Sequence, residues 1–209
     1  EPFYSTNPDS LYTASTSRAS DILADKKING IIFSYSSGTF TIILNIGNSS
    51  TYNYGFDNNG SLATKLNISY TGIKNLWFTY THSNNLTIDS SYNKMEYVNI
   101  INANYRVGKG LINQRWSQVK YSGDNKKYNL FETILDYDIN NQLGGALRYE
   151  VGDIGDSTYS ATGIKDLTFS LNYAITDLYY SLNSVIDFKH VKDSSNSSNQ
   201  TTIGTSYIF

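Results

Sequence analysis

A two-residue alternation of apolar and polar side chains, restarted about every 15 to 20 residues, constrains this chain more than any other feature. In 167–175 one face carries Leu167, Phe169, Leu171, Tyr173 and Ile175, and the other carries Thr168, Ser170, Asn172 and Ala174. In 131–139 the faces are Phe131, Thr133, Leu135, Tyr137 and Ile139 against Glu132, Ile134, Asp136 and Asp138. Tyr180, Leu182, Ile186 and Phe188 oppose Ser181, Asn183, Asp187 and Lys189, and Leu62, Leu66, Ile68 and Tyr70 oppose Lys65, Asn67 and Ser69. Period two places alternate side chains on opposite faces of a β-strand. No comparable run has a helical period, apart from a short turn at Ser20 to Lys27.

Eleven segments carry the strand pattern: 28–36, 39–47, 61–71, 76–83, 94–107, 111–121, 129–139, 143–151, 164–175, 178–191 and 201–209. Their connections alternate in length. Short ones fall at Ser36 to Gly38, Gly72 to Asn75, Gly108 to Gly110, Asn140 to Gly144 and Thr176–Asp177. Long ones fall at Asn48 to Gly60, Ser83 to Asn93, Ser122 to Tyr128, Gly152 to Gly163 and Lys192 to Gln200.

Composition narrows the choice. Only 16% of the 209 residues are charged, and 19 are Tyr. Lys plus Arg (16) nearly balances Asp plus Glu (18), which argues against a nucleic-acid partner. The chain has no Cys, hence no disulfide framework and no thiolate metal site. No apolar run reaches the roughly 18 residues of a spanning helix. The polar faces are built from Ser, Thr, Asn and Gly rather than the Lys and Glu of a soluble surface, so the apolar faces are expected to meet lipid.

The end of the chain, Thr205-Ser206-Tyr207-Ile208-Phe209, places Tyr207 and Phe209 on one strand face. With the alternating segments and loops, this resembles the bacterial outer-membrane β-barrels, porin-like in form, over about residues 28 to 209. The resemblance implies an all-β, transmembrane, antiparallel up-and-down barrel in a single domain spanning 1–209. It also implies a location in the bacterial outer membrane, contact with its lipid and lipopolysaccharide, and Tyr207 and Phe209 as a signal read by the barrel-assembly machinery. Single-chain bacterial barrels have even strand numbers, so about 12 strands are expected, with the weak segment Leu11 to Ala19 as the first. The alternative is 10, with residues 1–27 as a periplasmic or luminal segment and one of the eleven segments not a strand. The start at Glu1-Pro2-Phe3 resembles a processed form.

Charges that cannot face lipid face the lumen. Lys65, Arg106, Arg115, Glu132, Asp136, Asp138, Arg148 and Glu150 form the expected pore-lining belt, with Asp187 and Lys189 as lesser members. Arg115, Asp136 and Arg148 are expected at one height, with Glu132 and Glu150 nearer the external rim. Trp77, Tyr179, Tyr180 and Phe209 on the short-turn side, and Tyr97, Tyr121, Tyr149 and Phe188 on the long-loop side, are the expected interfacial aromatics. The segment 111–121 is polar on both faces: with Arg115 inward, Gln114 and Gln118 point to lipid, which suggests either imperfect register or a protein contact there, a subunit interface being one form of the latter.

The expected function is passive diffusion of ions or small hydrophilic solutes, without cofactor, metal or enzymatic activity. A sealed barrel acting through its external loops in a structural, adhesive or host-interaction role is the alternative. An outer-membrane hydrolase using His82 or His190 is remote, because His82 and Ser83 fall on opposite faces of one strand.

Overall fold

A computed structural model of the chain describes residues 27–51, 55–56, 62–87, 94–123, 125–139, 143–153, 164–177, 180–192 and 197–208. Every element among them is a strand: β1 Lys27–Ser37, β2 Phe40–Thr51, β3 Gly55–Phe56, β4 Ala63–Ile73, β5 Leu76–Thr87, β6 Lys94–Val107, β7 Gly110–Tyr121, β8 Tyr128–Asp138, β9 Leu143–Gly152, β10 Ile164–Asp177, β11 Tyr180–Lys192 and β12 Ser197–Ile208. They make one antiparallel up-and-down sheet in the order β1-β2-β4-β5-β6-β7-β8-β9-β10-β11-β12, with the two-residue β3 paired to β2 off that path. The expected strand at Leu11 to Ala19, the turn over residues 20–26 and Phe209 lie outside the described residues.

The tight ends show why the hairpins form. Ser37 pairs with Phe40 and Val107 with Gly110, leaving two-residue connections. Gly38 (φ 54°) and Gly108 (φ 58°) take the left-handed backbone that such turns require. Asn75 (φ 63°) does the same between Ile73 and Leu76. At the other end strands run further than side-chain polarity suggested. β5 continues to Thr87, and β12 begins at Ser197, so the Ser- and Asn-rich residues 197–200 pair with 189–192 instead of forming loop. Ladder hydrogen bonds use backbone groups, which all residues but Pro supply.

Gly152 ends β9 at φ 140°, and a Cβ there would sit 2.2 Å from the carbonyl oxygen of Asn129. Gly152→Ala is therefore expected to destabilise the fold by about 1–3 kcal/mol. A urea titration of the folded protein reads this as a lower unfolding midpoint; an unchanged midpoint would contradict it.

Directly paired residues of an antiparallel sheet share a face, so the registers assign every strand. One face carries Phe131, Leu135, Tyr137, Leu147 and Tyr149; Phe131 is 54% exposed and Tyr137 55%. The opposite face of the same strands carries Glu132, Asp136, Arg148 and Glu150, with Arg148 and Glu150 at 0% and Glu132 at 2%. This inverts the partition of a water-soluble domain, where charged side chains are rarely fully buried and large apolar ones are mostly covered. The charged face is hereafter the inner face.

Candidate functional site

The inner face is built in rows by the strand registers. One row runs Asn102–Arg115–Glu132–Glu150 across β6 to β9, and the register places Asp166 of β10 next to Glu150. The next row toward the short turns runs Trp77–Asn104–Asn113–Ile134–Arg148. A third runs Arg106–Leu111–Asp136–Ala146. Asp138 stands opposite Gly144 at the short-turn end.

Two ion pairs lie in the first two of these rows. Arg115 Nε lies 3.9 Å from Glu132 Oε1 across the strands, and Arg148 Nε lies 3.7 Å from Glu150 Oε2 along β9. Ions taken out of water are held only where such partners offset desolvation. Asn113 Nδ2 donates to Asn102 Oδ1 and Asn104 Oδ1, each at 2.6 Å, joining two rows. The Arg106 guanidinium stands 6.0 Å from the ring centre of Trp77, within cation–π range.

The expected belt divides by exposure. Glu132, Asp136, Arg148 and Glu150 are buried, and the Arg115 side chain is nearly so. Lys65, Arg106 and Asp138 are half-buried. Lys65 stands apart on β4, opposite Asn45 and Ser83. The registers put Asp187 opposite Ser170 and Lys189 opposite Thr168, in the two rows of Asp136 and Arg148.

Two expectations need correction. Arg115, Asp136 and Arg148 do not share a height: Arg115 faces Glu132, and Arg148 faces Ile134. Each hairpin sets its own register, so distances counted from one turn do not carry to the next strand pair. Trp77 and Tyr121 are also not outer-face aromatics. Trp77 pairs with buried Asn104, and Tyr121 packs on an inner-face apolar cluster. The outer face has its own scatter of aromatics near the short turns, Tyr35, Phe40, Phe78, Tyr105 and Tyr137, all exposed, with the tilted rings of Phe40 and Tyr70 4.7 Å apart. Tyr97 and Tyr149 do stand on the outer face.

Toward the long loops the inner face turns apolar. Ala63, Leu86, Met95, Val98, Ile100, Val119 and Leu130 form a buried cluster, with Ile28, Tyr121 and Tyr128 packed against it. Alternation did not reveal it, because β5 and β6 change phase at their long-loop ends. Asn85 takes φ 55°, and the β6–β7 register shifts between Met95 and Tyr97. The bulges turn Leu86 and Met95 inward.

Polar residues on the outer face bond to one another. His82 Nδ1 lies 2.7 Å from Asn99 Oδ1, which also accepts from the Tyr80 hydroxyl at 3.1 Å. Asn99 Nδ2 donates to Gln118 Oε1 at 3.5 Å, and Gln118 Nε2 to Asn129 Oδ1 at 3.1 Å. Ser83 is buried on the inner face, away from His82.

Among the described residues, no group of three or more His, Cys, Asp or Glu side chains is arranged to hold a metal ion. Comparison with protein-family models, curated proteins and solved structures finds no match for the chain.

Proposed function

We propose that this chain is a porin-like barrel of the bacterial outer membrane that passes small ions through a narrow lumen. The observation that carries the reading is the inverted sheet: ion-paired side chains buried on one face, aromatic and aliphatic ones exposed on the other. Lipid makes that arrangement favourable, since it solvates the apolar face while the lumen keeps the charges. The exposed aromatics near the short turns fit a membrane–water interface.

Closing this sheet would require one more strand. Eleven strands in an antiparallel path leave β1 and β12 running in the same direction. A further strand between them, for which Leu11 to Ala19 is the candidate, permits an all-antiparallel barrel of twelve. Tyr207 and Phe209 would then serve the assembly machinery, and lipid with lipopolysaccharide would surround the wall.

Burial sets the size of solute. Arg148 and Glu150 are fully covered, which favours a narrow lumen beside the β8–β9 wall over a wide water-filled bore. Among the described residues, Lys65, Arg106 and Asp138 are half-buried, and passing ions would meet them. Rings of fixed charge at a constriction sort ions by sign. The apolar cluster at the long-loop end favours a second reading, a sealed barrel that works through its external loops.

Single-channel recording in a planar bilayer separates the two, using protein whose folding is shown by faster gel migration unheated than boiled. The channel reading expects small discrete current steps. It also expects the reversal potential in a salt gradient to move toward cation preference in Lys65→Ala and Arg106→Ala. Silence from folded, inserted protein would overturn the channel and leave the sealed barrel.

A further inference from the structure

Gln114 stands out on the outer wall. It is exposed on β7, and among the described residues its amide has no hydrogen-bond partner, whereas Gln118 on the same strand is held by Asn99 and Asn129. Its neighbours across the sheet are the small residues Ala103 and Thr133. The flanking row toward the long loops is bulky, with Trp116 and Phe131. So is the row toward the short turns, with Tyr105 and Ile112. A polar dent with a small floor, ringed by large apolar side chains, therefore interrupts the wall.

A lone amide facing hydrocarbon is costly, because lipid offers it no hydrogen bond. A carboxamide carries both a donor and an acceptor, so two copies meeting across a two-fold axis satisfy each other with a reciprocal pair. Small residues let membrane-embedded surfaces approach closely, and polar side chains then join them. The apolar ring would exclude lipid from the central bonds, as rims protect hot spots at other interfaces.

We propose that the outer wall of β6 to β8 is a two-fold interface with a second copy of this chain, centred on Gln114. The inference rests on the lipid-facing reading of this wall. Self-complementarity at Gln114 favours a second copy over lipopolysaccharide, whose phosphates would call for cationic side chains that this dent does not hold.

The cysteine-free chain makes the test clean. Gln114→Cys, and as a control Ile42→Cys on the outer face of β2, are refolded into lipid vesicles and oxidised. Gln114→Cys should give disulfide-linked dimer and Ile42→Cys monomer. A separate variant, Gln114→Leu, should keep the heat-dependent gel shift while its dimer in lipid weakens about tenfold, as expected for losing a pair of membrane hydrogen bonds. Heat-shifting protein that yields only monomer from Gln114→Cys would overturn the interface and leave the barrel standing. An unchanged Gln114→Leu dimer would overturn the role of the amide. Absence of the heat shift in the unmodified chain would overturn the membrane reading and the interface together.

Discussion

Arg148→Met is expected to lower the stability of the folded protein by about 3–5 kcal/mol, the usual cost of removing one partner from a buried ion pair. Arg148 is completely covered, and its guanidinium lies beside the equally covered Glu150. Glu150 in turn faces Glu132 directly across β8 and β9. Without Arg148, two buried carboxylates stand side by side with Arg115 as the nearest described cation on that row. Adding Glu150→Gln should therefore restore a large part of the loss, a non-additivity expected of residues in one network. Urea titration of detergent-folded protein, followed by the heat-dependent gel shift, measures all three. An Arg148→Met midpoint equal to that of the unmodified chain would contradict the buried pair.

Leu147→Arg carries the second large effect, and its size depends on the solvent. Leu147 sits near the middle of β9, 39% exposed, with its side chain on the outer face next to Leu135. At a bilayer midplane an outward Arg on a barrel strand costs about 2–4 kcal/mol. On a water-facing surface the same substitution stays within about 0.5 kcal/mol. The yield of protein refolded into phosphocholine vesicles should fall sharply for Leu147→Arg and remain high for Leu147→Phe. Equal yields would place this face in water.

The parts of this architecture that the sequence made legible are those governed by strict alternation. Along β8 and β9 one face is apolar and the other carries charge, so Glu132, Asp136, Arg148 and Glu150 could be assigned together without knowledge of any partner strand. Gly38 and Gly108 marked tight turns because the left-handed backbone excludes most other residues. What alternation cannot encode is register. Trp77 and Phe78 are adjacent aromatics, and only the pairing of Trp77 with Asn104 decides which faces inward. The heights of Arg115 and Arg148 likewise follow from hairpin geometry across β7 to β9. The asparagine ladder of Asn102, Asn104 and Asn113 was missed because single amides on separate strands carry no local signal until register aligns them. The apolar cluster at the long-loop end was hidden by the phase changes at Asn85 and Met95.

The proposed barrel requires that the apolar face meet lipid and the charged face not. Single-cysteine variants from Phe131 to Asp138, spin-labelled in vesicles, test it strand position by strand position. Collision rates with oxygen, which concentrates in the bilayer, should peak at 131, 133, 135 and 137 and drop at the even positions between them. The water-soluble nickel relaxant should not reach the odd positions. The opposite pattern, with the odd positions open to nickel, would make this a water-exposed sheet and contradict the barrel.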